Sequence, residues 1–426
     1  MKNAFSKTEN SVKWLWGIAL GLTAAKLLAV GLMYAYYCPP LAPLDDDLVF
    51  RAAVSITEGS WLGAYGWRTI AKHMGFSVWL AALHVLHIPY AVGGQLLWAA
   101  ACGFTALAFS PLFKKRWQAP ALYLALLFIP SAVAQFTFRV YRDNIFPALC
   151  LFVFAGFVGY ALRFRGGLLK NALFLAAAGF GLGGAYLCRE DGLWLAPFVL
   201  AAVFITGFYI LREKDLPKKA LRLGIFLLPL AIAGAMTAGY CTMNYLFYGR
   251  FIVSDFTSKE FKDAYGAMTR INAQDFQLDV SVPLDVREKL YENVPLFAEL
   301  ENDLEGDWIA NGYRYSDNGD FRNGAFYWAL RECVAKAGYY KDAQTAKNYY
   351  TQLAADINAL CDSGVLPAGP KRSGTTPPIR PAYIAPTVKE AGRSALFVLT
   401  FRGCSPQAEI SVGSEEELEA VKQFLY

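Results

Sequence analysis

The chain has 426 residues, of which 55% are hydrophobic, 15% aromatic and only 18% charged. Soluble domains average about 45–50% apolar and about 25% charged residues. This composition therefore argues against a soluble globular enzyme, a disordered chain and a nucleic-acid binder. The net charge of +5 conceals an asymmetry: residues 1–248 carry 21 Lys and Arg against 10 Asp and Glu (+11), and residues 249–426 carry 19 against 25 (−6). A basic, apolar first half and an acidic, more polar second half read as a transmembrane domain over 1–248 followed by a water-facing domain over 249–426.

A bilayer crossing needs about 20 apolar residues, and suitable runs occur at 14–36, 91–112, 118–137, 144–162, 171–188, 192–211 and 222–245. The first run is read as a span and not a cleaved signal peptide, because no small-residue cleavage site clearly follows it. A shorter piece, Phe76–Ile88, precedes Pro89. It has the length of a re-entrant, interfacial or strongly tilted segment. Basic clusters at Lys2/Lys7/Lys13, Lys114/Lys115/Arg116, Arg163/Arg165/Lys170 and Arg212/Lys214/Lys218/Lys219/Arg222 then set the topology, since Lys and Arg are retained in the cytoplasm. Putting all four clusters inside leaves the N-terminus cytoplasmic. It requires one net crossing over 76–112, seven in all, and makes 37–75 a first outer loop. Short outer loops then fall near 138–143 and 189–191, and everything after 246 lies outside.

In the second half, Asp285–Leu304, Gly324–Ala337 and Ala343–Cys361 read as helices, the last from apolar residues near helical spacing. Pro367–Pro386 is rich in Pro, Gly and Thr and reads as extended or loop. Ser414 with Glu417 forms a capping pattern that opens a short helix over Ser414–Tyr426. Cys38, Cys102, Cys150, Cys188 and Cys241 lie in or beside apolar stretches, where Cys behaves as a small hydrophobe. Cys333, Cys361 and Cys404 could supply a disulfide in an oxidising compartment. No CxxC or Cys/His metal spacing is present.

Three charged groups collect on the outer face: Asp45, Asp46 and Asp47; Arg139, Arg142 and Asp143; and Arg189, Glu190 and Asp191. Charges at membrane depth are expensive and usually functional, although snorkelling loop residues would give the same string. Clustered carboxylates repel, so one of the three Asp can have a raised pKa and serve as a general base. Alternatively the cluster can hold a divalent cation such as Mg or Mn, or cap a helix starting near Asp47. From Arg51 to Lys72 the chain looks surface-lying, with Trp61, Leu62, Tyr65 and Trp67 as an interfacial aromatic belt. Arg68 and Lys72 would share one helix face, suited to a lipid phosphate or to ordinary headgroup anchoring. His73 reads as interfacial. His84 and His87 share a face but lack a third metal ligand. The arginines beside carboxylates suit phosphate recognition or local salt bridges. No GxxxxGK[ST], HExxH or GxSxG signature occurs, and Gly181-Leu-Gly183-Gly184 lies inside an apolar run, so it reads as helix packing and not as a nucleotide loop.

Several short strings resemble the GT-C superfamily of membrane glycosyltransferases, in particular the bacterial group that includes protein mannosyltransferases and lipid A aminoarabinose transferases. They are Asp45–Asp47 after the first span, Glu58-Gly-Ser-Trp61-Leu-Gly-Ala-Tyr65, Thr69-Ile-Ala-Lys72, Arg139-Val-Tyr-Arg142-Asp143, Cys188-Arg189-Glu190-Asp191-Gly192-Leu-Trp194, Asn244-Tyr-Leu-Phe-Tyr248-Gly and Phe326-Tyr-Trp328-Ala-Leu-Arg331. The chain departs from the family in its three Asp, where an Asp-Glu pair is common, and in its smaller number of spans. The hydropathy count and the charge asymmetry give an α-helical polytopic membrane protein of about seven or eight transmembrane helices with a mainly helical extracytoplasmic C-terminal domain; the resemblance implies that it is GT-C-like and lies in a bacterial plasma membrane. It implies a polyprenyl-phosphate-sugar donor taken from the lipid bilayer and an envelope acceptor of unspecified kind. Asp46, with Asp45 and Asp47 as alternatives, would be the base. Lys72, Arg139, Arg142 and Arg189 would face the leaving phosphate, with Asp143, Glu190 and Asp191 orienting the arginines. A non-catalytic scaffold of the same fold, or a lipid-linked sugar transporter, are the competing readings.

Overall fold

A computed structural model describes residues 2–38, 42–274, 277–307, 319–404 and 410–426. Among them the secondary structure is helical, with no strand and two isolated bridges, Tyr36 with Arg139 and Ile271 with Ala368. The chain forms two compact units: Met1–Leu62, His73–Tyr240 and Thr400–Tyr426 in the first, Gly63–Lys72 and Cys241–Leu399 in the second. This partition differs from 1–248 and 249–426 at both ends of the second unit.

Five segments of the described chain are long and apolar enough to cross a membrane: Lys13–Gly31, Tyr90–Leu112, Arg142–Leu162, Asn171–Cys188 and Leu216–Tyr248. Gly75–Val85, Gln118–Leu127 and Ala196–Leu211 are apolar but shorter. Large apolar side chains on these helices stay exposed, Leu28 and Phe204 at 74% each, as expected of surfaces that face lipid and not water. The protein is thus a helical membrane protein, with fewer full-length spans than the hydropathy of the sequence suggests.

The shortfall has local causes. The run 118–137 is helical only over Gln118–Leu127 and then breaks into short 3-10 turns, beginning with Pro130–Val133. Backbone freed from a helix at membrane depth must find other partners, and here side chains supply them. Lys26 Nζ donates to the Leu127 carbonyl (2.5 Å), Trp98 Nε1 to Leu126 (3.2 Å), Gln95 Nε2 to Ala132 (2.7 Å) and Asn144 Nδ2 to Thr137 (3.0 Å). Phe76–Ile88 is a helix over Gly75–Val85 that turns back at His87, where φ is +53°, into Tyr90–Phe109. The run 192–211 is helical only from Ala196 and is short of a full span, whereas 222–245 lies within the candidate span Leu216–Tyr248, which has a break at Leu227.

The core of the first unit is the antiparallel pair Phe146–Leu162 and Leu168–Cys188. Glycines let the two backbones meet: a Cβ on Gly156 would lie 2.5 Å from the Phe174 carbonyl oxygen, and one on Gly181 would lie 2.5 Å from that of Leu149. Gly181 therefore serves helix packing. The C-terminal helix Glu415–Leu425 carries the expected capping box between Ser414 and Glu417. It packs with this unit: Val412 N–H donates to the Tyr37 carbonyl (3.0 Å), and the Phe424 ring stacks on His84 at 4.1 Å. That is why Thr400–Tyr426 clusters here.

The second unit holds the helices Lys259–Thr269, Leu284–Asn293, Asn323–Lys336, Ala343–Asp362 and Ile384–Leu399. The helix expected over Asp285–Leu304 is cut at Val294 by Pro295. Ile384–Leu399 was not anticipated in sequence. The segment 63–72 is built of turns, not helix, so Arg68 and Lys72 share no helix face. Fully buried Arg331 holds it through the Trp67 and Thr69 carbonyls (2.7 and 3.2 Å) and pairs with Asp255 at 2.9 Å. Trp61 and Leu62 are buried, while Tyr65 and Trp67 pack on Tyr340 and Trp328. These aromatics are internal packing and not an exposed belt. All eight cysteines are free, and Cys333 and Cys361 are buried.

Candidate functional site

Two local arrangements create the site in the first unit. The antiparallel pair of glycine-packed helices brings the start of one helix beside the end of the other. Arg142 Nη1 therefore meets Glu190 Oε2 at 2.7 Å, and Arg189 Nη1 meets Asp143 Oδ1 at 3.0 Å. Arg189 also pairs with Asp191 at 2.8 Å. Independently, the first span ends at Gly31 and the chain runs on to Tyr36, whose N–H donates to the Phe138 carbonyl (3.1 Å) while its own carbonyl accepts from Val140 N–H (3.0 Å). This short bridge sets the acidic turn against residues 139–141.

That turn, Pro43–Asp47, is a single π-helical turn leading into the helix Leu48–Thr57. Its wide winding sends the three carboxylates to different partners. Asp45 Oδ1 accepts from the Tyr141 hydroxyl at 2.6 Å. Asp46 has no exposed surface; its Oδ1 takes Arg139 Nη2 at 2.5 Å and Nε at 2.8 Å, and its Oδ2 takes the Cys38 N–H at 3.3 Å. Asp47 occupies the N-cap position but makes no capping hydrogen bond; its Oδ1 accepts from Arg51 Nε (2.6 Å) and the Tyr37 hydroxyl (3.1 Å). Asp46 and Asp47 are buried, whereas Asp45 is half-buried.

Tyr141 joins the two arrangements. Its hydroxyl binds Asp45, and the guanidinium carbons of Arg139 and Arg142 each lie 4.8 Å from its ring centre. Behind it, the Tyr90 hydroxyl ties together the Arg139 and Tyr141 carbonyls at 2.5 and 3.3 Å. The structure thus gathers Asp45, Asp46, Arg139, Arg142, Asp143, Arg189, Glu190 and Asp191 into one connected set of contacts. Lys72 belongs to the second unit, where it is buried with its Nζ 5.9 Å from the Trp328 ring centre. Sequence reasoning assigned no role to Tyr141, Tyr37 or Tyr90. The signal for Tyr141 was its place between two arginines.

The electrostatics follow from burial. Burial raises the Asp46 carboxyl above its usual value, against the opposing pull of Arg139 and the Cys38 N–H. Burial also pushes Glu190 upward, but Arg142, His73 and backbone N–H groups outweigh it and leave Glu190 below its usual value. The Arg189 hydrogen bond lowers Asp191. His73 is buried at 2% exposure and not interfacial. Its N–H donates to Glu190 Oε1 at 2.7 Å, and its ring Nδ1 lies 2.5 Å from the Tyr186 carbonyl. A carbonyl only accepts, so Nδ1 carries the proton; burial lowers the imidazole pKa.

Among the described residues no group of three or more His, Cys, Asp or Glu could hold a metal ion. The three adjacent Asp do not fit a divalent-cation site such as one for Mg or Mn, because each faces a different donor. His84 is engaged with the Phe424 carbonyl at 3.0 Å. Compared with family models, with curated proteins and with solved structures, the chain has no match.

Proposed function

We propose that this protein is an integral-membrane glycosyltransferase that moves a sugar from a polyprenyl-phosphate donor to an envelope acceptor at the outer face. The observation that carries the reading is the buried Asp46–Arg139 pair, continuous through Tyr141 with Asp45, Arg142 and Glu190. A carboxylate raised by burial beside arginines at the ends of apolar helices has the parts of a base and an anion site.

The chemistry is an inverting displacement. The acceptor oxygen bonds to the anomeric carbon, and the bond from that carbon to the lipid phosphate oxygen breaks with its electron pair. The acceptor proton passes to Asp46, with Asp45, the more exposed neighbour, as the route by which an acceptor reaches it. Arginine suits the leaving phosphate because its charge is permanent and its fork is planar. The donor phosphate competes with Asp46 for Arg139, so donor binding frees the base. General-base assistance is typically worth about 10²–10⁴-fold, and positioned cations add to it.

A non-catalytic scaffold is the second reading, favoured by the complete burial of Asp46. The deciding experiment is a transfer assay in liposomes with a panel of radiolabelled polyprenyl-phosphate sugars and envelope acceptors. Transfer by the wild type, with donor binding weakened in Arg142→Gln and Arg189→Gln, supports the enzyme. A wild type that binds no donor in the panel leaves the scaffold.

A further inference from the structure

We infer that the helix Ile384–Leu399 lies along the membrane surface with its apolar side in lipid that carries anionic headgroups. Every residue of this helix is solvent-exposed, and none is buried. Ile384, Val388, Val398 and Leu399 expose 62, 67, 68 and 78% of their surface. At 3.6 residues per turn these four fall on one side with Ala391 and Ala395, whereas Lys389, Glu390 and Arg393 fall on the other; only in the last turn, where Leu396 and Phe397 are also exposed, do apolar residues surround the helix. A helix so divided, with no buried residue, gains little from packing to offset its ordering.

Length and charge say what covers it. Sixteen residues are short of the roughly 20 needed to cross, and charges at its centre disfavour spanning. Residues 380–402 carry Arg380, Lys389, Arg393 and Arg402 against Glu390 alone, a net +3 within a half of the chain that is −6. Glu390 itself pairs with Arg393 at 3.5 Å. Basic residues opposite an apolar stripe are the pattern of a helix that lies in the plane of an anionic interface. The chain passes directly from Leu399 to Thr400, which belongs to the unit containing the long apolar helices. This placement does not depend on the transferase reading.

The test uses the full chain in vesicles of phosphatidylcholine with or without phosphatidylglycerol. Cys38 and Cys404, the two cysteines that are not buried, are replaced by Ser. An environment-sensitive dye is attached through Val398→Cys or, on the opposite side, Glu390→Cys. The inference expects lipid-borne quenchers to quench the dye at 398 and not at 390, more strongly with phosphatidylglycerol present. Lys389→Gln and Arg393→Gln should each shift the helix off the surface by about fivefold. Equal access of aqueous iodide to both dyes would overturn the inference. So would a dye at 398 that is shielded from iodide yet untouched by lipid quenchers, the result a protein partner would give.

Discussion

Replacing Arg139 by Met separates the two halves of the buried pair. The Asp46 side chain is 0% exposed and the Arg139 side chain 28% exposed, so the two partners are not equivalent. Without Arg139, Asp46 keeps, among the described residues, the Cys38 N–H at 3.3 Å as its hydrogen-bond partner. A buried charge left in this way costs about 3–5 kcal/mol, and we expect the lower end, about 3 kcal/mol, because the carboxyl escapes by taking a proton. Without Asp46, Arg139 still reaches water, so Asp46→Asn should cost only about 1 kcal/mol. The loss in Arg139→Met depends on pH. Burial already raises the folded-state pKa of Asp46 in the wild type, and removing Arg139 raises it further. A carboxyl whose folded value lies above its unfolded value of about 3.9 leaves stability intact below that unfolded value. Stability is then lost as pH rises through the folded value. The gap between Arg139→Met and wild type should therefore widen as pH rises above the unfolded value of about 3.9. The assay is thermal unfolding read by a thiol-reactive dye, for which the buried Cys102, Cys150, Cys188, Cys241, Cys333 and Cys361 are built-in reporters. A loss of about 3 kcal/mol corresponds to a fall in Tm on the order of 5 °C. A pH-independent gap, or equal losses in Arg139→Met and Asp46→Asn, would refute the reasoning.

Other expectations follow from single contacts. Gly156→Leu forces a side chain against the Phe174 carbonyl, 2.5 Å from the ideal Cβ position, and should cost at least about 1–3 kcal/mol; size-exclusion profiles and Tm in detergent measure it. Arg331→Met strands Asp255 and frees the Trp67 and Thr69 carbonyls, a loss of about 3–5 kcal/mol. Limited proteolysis should then cut within 63–72, which wild type resists. Ser414→Ala removes the capping box of Glu415–Leu425, a loss of about 1 kcal/mol, visible as faster amide exchange confined to that helix.

The parts of this fold that were legible in sequence are those set by short-range patterns. Hydropathy located the apolar helices, and Ser414 with Glu417 marked the last helix start. The apolar setting of Gly181 marked close helix packing, and the charges at span ends marked arginines beside carboxylates, although not that Arg142 would pair with Glu190 across two helices. What was not legible depends on partners far away in the chain. Residues 128–137 are apolar enough for a helix, yet the backbone leaves helical form because Lys26, Gln95 and Asn144 satisfy the carbonyls. The segment 63–72 looked amphipathic and surface-lying, but fully buried Arg331 draws its carbonyls inward. Likewise His73 resembled an interfacial residue until Glu190 and Tyr186 buried it. Ile384–Leu399 was hidden by the Pro- and Gly-rich stretch before it, whose last residues form its first turn. In the site itself, residue type identified the carboxylates and arginines. The π-turn that separates Asp45, Asp46 and Asp47, and the place of Tyr141 between them and Arg142, came only from the fold.

The most direct test of the central claim compares donor binding with sugar transfer in wild type, Asp45→Asn, Asp46→Asn and Asp47→Asn, each reconstituted in liposomes and shown to be folded at the assay temperature. The account predicts that Asp46→Asn binds the polyprenyl-phosphate sugar at least as well as wild type, since Arg139 is released, yet loses transfer by about 10²-fold or more. Transfer undiminished in Asp46→Asn would contradict it.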